Sequence, residues 1–464
     1  MKPIIIQLDK QELIPLEVKE ILTTLHINGY EGYIVGGAVR SFVMGFYPHD
    51  FDIVTNASTQ KVKDLFPTSC FVGESFGVSL VKGISGKSYE VASYRYDGVY
   101  KNGRTPEEIK YASTLEEDLS RRDFTMNALV YDIRTNEILD YFNGIEDITK
   151  KIIRCIGNPF VRLVEEDYLR MLRAIRFASQ YDMNISTDVL NCIMTNRECI
   201  NKISTERIRE ELNKILVSNY AVLGINLLRT TKILDIIIPE IVDTYDFNQN
   251  NPYHWEDVFN HTLSTLIEDK QKLNLSEDET LLINLALLFH DIGKTKVATV
   301  GEDGFNHYKG HAEESRKKAF DILTRLKYSK NIIDIVCTLI KFHDSEIPAS
   351  MRSLRRLIAN LGSTELFELW KIVLERDTYA HSDFNNYFIS YKEKIKKLEE
   401  LYIQYCSEGK VYSEKDLDIN GYDLMALGFE GRKIGEVQRK LLQMFLEGEI
   451  NNSKESFIKY LKRC

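Results

Sequence analysis

Two short runs carry side chains suited to phosphoryl chemistry. Residues 36–52 read GGAVRSFVMGFYPHDFD, and residues 121–128 read RRDFTMNA. In an extended strand successive side chains alternate between faces, so Asp50 and Asp52 point the same way. The flanking Phe51, Ile53 and Val54 suit a strand that begins after Pro48. Two carboxylates on one face can chelate Mg2+, a hard cation that takes a few protein oxygens together with phosphate. A pair of such ions clamps the attacking and leaving oxygens of an in-line phosphoryl displacement. Gly36 and Gly37 permit a tight turn whose amides can approach an anion. Residues 38–46 read as a helix whose N-terminus faces that anion. With Arg40 behind the glycines and a paired arginine and an Asp downstream, the two runs describe a site for a nucleoside triphosphate and two metal ions. Each alone has a plain reading, a surface strand or a solvated charged turn; their joint occurrence favours chemistry.

The elements that must position these side chains change along the chain. Residues 1–150 mix β-like runs (YIVGG, DFDIVT, FGVSLV, SYEVASY, MNALVYDI) with helices, which predicts an α/β catalytic unit. From 151 the pattern turns almost wholly helical, with YLRMLRAIRFASQY and RIREELNKILVSNYAVLGINLL carrying apolar residues at three- and four-residue spacing. The polar, turn-rich TYDFNQNNPYHWE at 244–256 marks a boundary. Helices continue to about 390, and after the charged connector KEKIKKLEELYIQY a distinct unit follows, LDINGYDLMALGFEGRKIGEVQRKLLQMFLEGEINN.

A chain of 464 residues accommodates two to four domains. Its net charge of −9 argues against nucleic-acid binding by bulk charge and leaves room for a local basic groove. The start, MKPIIIQLDKQELIPLEVKE, turns charged too early for a secretory leader, and no apolar run reaches membrane-spanning length. Cysteines at 70, 155, 192, 199, 337, 406 and 464 form no CxxC pair, the pattern of reduced thiols in a cytoplasmic protein.

Taken in order, GGAVR…DFD, YEVASYRYDGVYKNGRTPEE, RRDFTMNA and EEDYLRMLRAIRF resemble the class II tRNA nucleotidyltransferases, the CCA-adding enzymes and their bacterial poly(A) polymerase relatives, across residues 25–245. The tail LDINGYDLMALG resembles the bacterial CCA-adding members. The resemblance implies an α+β fold, with a nucleotidyltransferase palm (mixed sheet with helices) at 1–150, an all-helical neck carrying nucleobase- and RNA-binding motifs at 151–245, and a helical tRNA-binding tail at 391–464. It makes Asp50 and Asp52 the catalytic, Mg2+-binding carboxylates and turns Gly36, Gly37 and Arg40 toward the triphosphate. Arg121, Arg122, Asp123 and Asn127 fall to ribose and phosphate, since guanidinium forks suit phosphate and an Asp accepts from a sugar hydroxyl. Glu90, on the β-like run YEV, is a candidate third acidic group; the alternative is a solvated strand face.

The same resemblance implies that Asp167 and Arg170, in EDYLR, read the incoming base. Three apart on a helix they share a face, and an acceptor beside a donor set can mimic a Watson–Crick edge; the alternative is a helical ion pair. Arg173 and Arg176 extend the basic face toward triphosphate or tRNA. Residues 97–118 correspond to the flexible loop that switches selection from C to A, and a connector of that length is functional or disordered. Three positions depart from the family pattern: Ser41 where an acidic residue is usual, His49 where Lys is, and Asn158 where Asp is. None removes a metal ligand, so activity is expected with altered supporting contacts.

A second constellation lies at HDIGK, residues 290–294, after the apolar LLINLALLF. With His261 upstream and His311, His343 and Asp377 downstream, it resembles the HD phosphohydrolase superfamily and implies an HD domain at 246–390. His261, His290, Asp291 and Asp377 match the ligand pattern, with His311 and His343 as further ligands or phosphate contacts. Imidazoles with carboxylates suit Mn2+, Ni2+ or Fe2+, and such an ion activates water against phosphate esters. His254 and His307 read as surface histidines.

These readings converge on an enzyme that adds C, C and A to the 3′ end of tRNA from CTP and ATP and releases pyrophosphate. Its partner is the tRNA acceptor arm and 3′ end, gripped through shape and phosphates, with no membrane involved. Arg352, Arg355 and Arg356 and the stretch Lys459–Arg463 are candidate basic contacts. The alternatives are a poly(A) polymerase, an enzyme adding only CC or only A, or an HD phosphohydrolase whose N-terminal half merely binds nucleotide. GESFGVSLV at 73–81 and the tail favour full CCA addition.

Overall fold

The computed structural model describes residues 2–462 apart from 49, 68, 72–76, 98–99, 102–104, 107–108, 251–255, 381–383, 408 and 410. His49, His254 and Arg463, and parts of 73–81 and 97–118, therefore lie outside the described residues. The chain folds as two units, Met1–Ile237 and Ile238–Cys464.

The first unit is built on a mixed sheet of eight strands, in the order Ile4–Gln7, Glu137–Asp140, Leu129–Asp132, Gly32–Val35, Asp52–Thr55, Ser88–Ser93, Val78–Lys82 and Cys70–Phe71. Every neighbouring pair is antiparallel except Asp52–Thr55 with Ser88–Ser93, which run parallel. The period-two pattern of the strands sends alternate side chains to opposite faces. Ile34, Ile53 and Val91 pack with Val18, Leu22 and Leu25 of the helix Leu16–Ile27 on one face. Val35, Val54 and Val130 pack with Tyr94, Leu119 and Ile156 on the other.

The acidic strand begins at Asp52, not just after Pro48, so Asp50 and Phe51 lead into the ladder without joining it. The alternation nevertheless persists, because Phe51 and Ile53 are buried while Asp50 and Asp52 are exposed. The glycine-led helix spans Gly37–Met44 and stops short of residue 46, since Gly45 takes the left-handed conformation at φ 77° and closes it. The region expected to be one long loop, 97–118, is partly regular. Ile109–Tyr111 pairs with Arg95–Asp97, and Leu115–Ser120 is a helix. That helix starts where Thr114 and Glu117 cap each other's amides, a Thr-x-x-Glu box inside a stretch judged on its glycines and charges.

Beyond residue 151 helices dominate: Leu169–Tyr181, Thr187–Asn196, Thr205–Leu216 and Ala221–Thr230 complete the first unit. Helices fill most of the second unit as well, interrupted by the short hairpin Thr299–Val300 with Asn306–His307. Its last three helices, Gly421–Ala426, Arg432–Leu446 and Lys454–Leu461, enclose a small core around Leu424, Leu441, Phe445 and Phe457. No helix among the described residues is long and apolar enough to cross a membrane.

Three arginines expected at an RNA surface also have partners within the second unit. Arg352 and Arg356 both grip Glu447. Arg355 donates to the Phe445 carbonyl at 3.2 Å and packs 4.3 Å over that residue's ring. They tie the helix Met351–Leu361 to the helix Arg432–Leu446.

Gly144 marks the tightest packing beneath the sheet, since a Cβ there would lie 2.4 Å from the Thr125 carbonyl oxygen. Gly144→Ala must displace the backbone that carries Asn127, at a cost of about 1–3 kcal/mol. A thermal melt is expected to fall by several degrees; an unchanged melt would show that this contact does not constrain the fold.

Candidate active site

A cavity of about 790 Å3 opens in the first unit where the acidic strand, the glycine turn and the helices Leu169–Tyr181 and Thr205–Leu216 meet. The glycine turn comes first in the logic. Gly36 leaves its strand at φ 70°, a conformation that favours glycine, and donates to the Leu129 carbonyl at 3.2 Å. A Cβ there would meet the Arg122 guanidinium at 3.2 Å, so the missing side chain also makes room for an arginine. Gly36, Gly37, Arg40 and Ser41 all line the cavity, and the helix N-terminus opens on it.

One part of the lining is acidic. Asp50, Asp52 and Glu90 all face the space. Asp52 and Glu90 are adjacent because each precedes the paired residues Ile53 and Val91 of the two parallel strands. Desolvation raises the pKa of Glu90, and the charges of Asp52 and Asp50 raise it further. Desolvation likewise raises Asp52, with Arg122 opposing and Asp50 adding to the shift. Three carboxylates lining one space supply the oxygen ligands that a hard divalent cation prefers. The sheet therefore brings Glu90 to the two expected carboxylates.

The rest of the lining is rich in guanidinium groups fixed by protein carboxylates. Arg121 places Nε and a terminal nitrogen 3.1 and 2.8 Å from Oδ1 of the fully buried Asp118, and Arg122 approaches its other oxygen at 3.8 Å. Asp123 accepts from the Phe124 amide at 2.8 Å, from Asn127 at 2.9 Å and from Arg173 at 2.8 Å. Burial opposes its ionisation, but Arg173, Arg170 and the Asn127 amide overcome that and hold it well below the usual carboxylate range. Asp123 was expected to accept from a ribose hydroxyl; its oxygens are engaged by these protein donors. Asn127 in turn receives Arg40, which also donates to the Tyr181 hydroxyl at 2.9 Å. Arg176 pairs with the buried Glu211 at 3.1 Å.

The expected base-reading pair is arranged differently from a single helical face. Val161–Glu166 forms a π-helix, Asp167 is extended at φ −142°, and the α-helix begins only at Leu169. Asp167 accepts from the Leu169 amide at 3.0 Å and from Arg207 at 3.1 Å. Arg170 is held by Glu166 and donates to the Arg121 carbonyl at 3.0 Å. Both residues line the cavity, but Asp167 stands in extended backbone just ahead of the α-helix while Arg170 lies in its first turn, the Arg170 amide donating to the Asp167 carbonyl at 3.1 Å. Asn158 still forms the local turn an Asp would, its side-chain oxygen accepting from the Phe160 amide at 2.9 Å.

The second unit gathers the second constellation. Asp377 Oδ1 lies 2.9 Å from His261 Nε2 and 3.5 Å from His290 Nε2, and Asp291 lies 3.3 Å from His290. On the other side of Asp291 stand His311 at 3.5 Å and His343 at 3.8 Å, their Nε2 atoms 3.1 Å apart. Each of His290, His311 and His343 turns Nδ1 to the carbonyl three residues back, at 2.7, 3.0 and 2.6 Å. A carbonyl only accepts, so Nδ1 carries the proton and the Nε2 lone pairs point inward. His261, His290 and Asp291, and Asp291, His311 and His343, form two groups whose ligand atoms lie close enough to hold a metal ion. Lys294, the last residue of HDIGK, reaches Asp291 at 2.6 Å. His307 is exposed and pairs with Asp303 at 3.1 Å.

Sequence reading did not single out Asp118, Arg207 or Glu211, which have no spacing of their own, and it took Glu166 only as part of the EDYLR motif, not as the carboxylate that holds Arg162 and Arg170. Only the Thr-x-x-Glu box ahead of Asp118 signals a helix there.

Comparison with known proteins follows this geometry. Residues 32–154 match the family described as Poly A polymerase head domain, 182–244 the probable RNA and SrmB-binding site of polymerase A, and 311–461 the putative tRNA nucleotidyltransferase domain 2. The CCA-adding enzyme of Lactobacillus helveticus is 41% identical over 210 residues, 45% of this chain and 52% of that protein. The chain thus spans about half the length of the first such curated relatives. The CCA-adding enzyme of Ligilactobacillus salivarius is 29% identical over 97% of this chain and 98% of its own. The crystal structure of the Bacillus stearothermophilus CCA-adding enzyme in complex with CTP superposes with a TM-score of 0.69 at 25% identity, covering 96% of both chains.

The acidic group yields a sign-definite expectation. A raised carboxylate pKa means that the folded state disfavours the ionised form, so its cost is absent below the ordinary glutamate value and present once pH exceeds the folded one. In EDTA, Glu90→Gln is expected to melt above the wild type at neutral pH, with the gap closing toward about pH 4. A gap independent of pH would show that the ionisation of Glu90, disfavoured by desolvation and by the charges of Asp52 and Asp50, is not its cause.

Proposed function

The chain belongs to the class II tRNA nucleotidyltransferase family, and we propose that it adds or repairs the 3′-terminal CCA of tRNA using CTP and ATP. The observation that carries this reading is the single cavity in which Asp50, Asp52 and Glu90 meet the arginines of the neck. In this reading the first unit divides into a catalytic head at 1–150 and a neck at 151–245, and the rest into an HD domain at 246–390 and a tail at 391–464.

Asp50 and Asp52, with Glu90 beside them, would hold Mg2+. An ion held by them would supply Lewis-acid charge for in-line attack of the tRNA 3′-hydroxyl on the α-phosphate, with pyrophosphate as leaving group. The chain's own residues do the placing. Gly36 and Gly37 bring backbone amides to the triphosphate, while Arg40, Arg122 and Arg173 supply donors along it. Asp123 acts through Arg173 and Asn127, keeping both in position. Asp167 and Arg170, each anchored by a separate partner, present an acceptor and a donor to the incoming base. Discrimination between C and A then depends on pocket shape, not on pairing with a template. The second unit supports tRNA binding through shape and phosphate contacts, and its tail resembles that of the CCA-adding enzymes. The protein acts in the cytoplasm.

A second reading attaches to the histidine centre. Its inward-facing Nε2 atoms and the bridging Asp291 suit Mn2+, Ni2+ or Fe2+, which would polarise water against a phosphate ester.

Two measurements test these readings. Purified protein is incubated with Mg2+ and tRNA transcripts ending before C74, C75 or A76, with labelled CTP and ATP separately and together. Ordered addition that stops after CCA is expected, with a loss on the order of a hundred-fold or more in Asp50→Ala/Asp52→Ala, the scale on which removing preorganised transition-state stabilisation acts. Long A tails would make the chain a poly(A) polymerase, CC or A alone a partial enzyme, and no incorporation would overturn the transferase reading. For the second centre, elemental analysis after dialysis is expected to find a transition metal in the wild type and none at that site in His290→Ala. A wild type that takes up none sinks that reading.

A further inference from the structure

One side chain in the cavity is neither acidic nor basic yet touches much of the basic lining. The guanidinium carbons of Arg40, Arg173 and Arg176 lie 5.0, 5.4 and 4.3 Å from the centroid of a single ring, Phe177. That ring is 3% exposed and lines the cavity. It is itself held edge-on by Phe124 at 5.8 Å and 85°. Three like charges around one centroid repel, and the surrounding carboxylates offset only part of that. Asp123 serves Arg173 at 2.6 Å and Glu211 serves Arg176 at 3.1 Å. Arg40 meets the Asn127 amide, the Tyr181 hydroxyl and the faces of Phe177 and Tyr181, with no carboxylate at ion-pair distance among the described residues. Burial lowers Arg176 to about 10 despite Glu211, and the charges of Arg173 and Arg40 contribute, so the three cations sense one another. Three guanidinium groups against two carboxylates leave a net positive charge on this part of the lining.

We propose that Phe177 is a positioning residue for the nucleotide, its π face holding Arg40, Arg173 and Arg176 along the cavity so that their surplus charge meets the polyphosphate. An aromatic face attracts cations through its quadrupole. It does so without neutralising them, as a further carboxylate would, and leaves them available to an anion. Aliphatic packing at this position would fill the space and let the arginines drift apart. The assignment rests on the reading of the cavity as a nucleotide site.

The test replaces Phe177 in the full-length protein with mono-, di- and trifluorophenylalanine, near-isosteric rings whose faces are progressively less negative. Binding of CTP, and separately of inorganic tripolyphosphate, is measured by calorimetry with no RNA acceptor present. The logarithm of Kd is expected to rise in step with fluorine number, reaching on the order of ten-fold for the trifluoro ring. The slope should be equal for both ligands, because the ring acts on phosphate-binding arginines and not on the base. A role in packing alone would not grade with fluorine, and melting temperatures of the series check that the fold is kept. A flat series in protein that binds CTP overturns the proposal alone. A wild type that binds neither CTP nor tripolyphosphate overturns both the proposal and the nucleotide-site reading beneath it.

Discussion

Guanidinium groups repel one another, and eight of them line one cavity. The first unit depends on how that repulsion is contained. Asp118, Asp123, Glu166 and Glu211 are all buried, and each holds at least one of these arginines. They come from a short helix, a turn, a π-helix and a neck helix, so the charge lattice ties together segments distant in sequence. A buried ion pair adds little net stability, but removing one partner leaves an uncompensated charge costing about 3–5 kcal/mol. The lattice therefore sets where the arginines can be more than it strengthens the fold.

The acidic residues obey a different constraint. Asp52 and Glu90 sit on adjacent parallel strands at the middle of the sheet, backed by Ile53 and Val91, which are fully buried. Their positions are thus set by backbone pairing and core packing, and the charge of Asp52 still bears on Glu90. Rigid strands carry the groups that crowd, while longer, jointed side chains carry those that reach.

Much of this was legible in the sequence wherever function follows from spacing along one element. Asp50 and Asp52 alternate with Phe51 and Ile53, and the strand register does the rest. His261, His290, Asp291 and Asp377 were recognisable as a pattern, and the helix ends bring them together. What spacing could not show lies between elements. Asp118, Glu166, Glu211 and Phe177 look like ordinary helical residues until their partners fold against them. Asp167 and Arg170 were placed on one helical face because a continuous helix was assumed, whereas Asp167 is extended between the π-helix Val161–Glu166 and the α-helix that begins at Leu169. Arg352, Arg355 and Arg356 were legible as a basic cluster, but their partners Glu447 and Phe445, some ninety residues away, were not. The limits of the 97–118 region were misjudged for a simpler reason, a capping box overlooked amid glycines and charges.

Carboxylates and guanidinium groups lining one space also give that space a direction. Its interior is an electric field running from the arginines toward Asp50, Asp52 and Glu90, strengthened by walls that exclude water. A ligand with phosphates along one part and a cation at another is itself a dipole, and only one orientation lowers its energy in such a field. Alignment can therefore precede any contact with a base, and a molecule entering backwards is turned or expelled by long-range forces before hydrogen bonds are tested. The same field weakens as ionic strength rises, so long-range alignment and short-range hydrogen bonding in this cavity need not share a salt dependence.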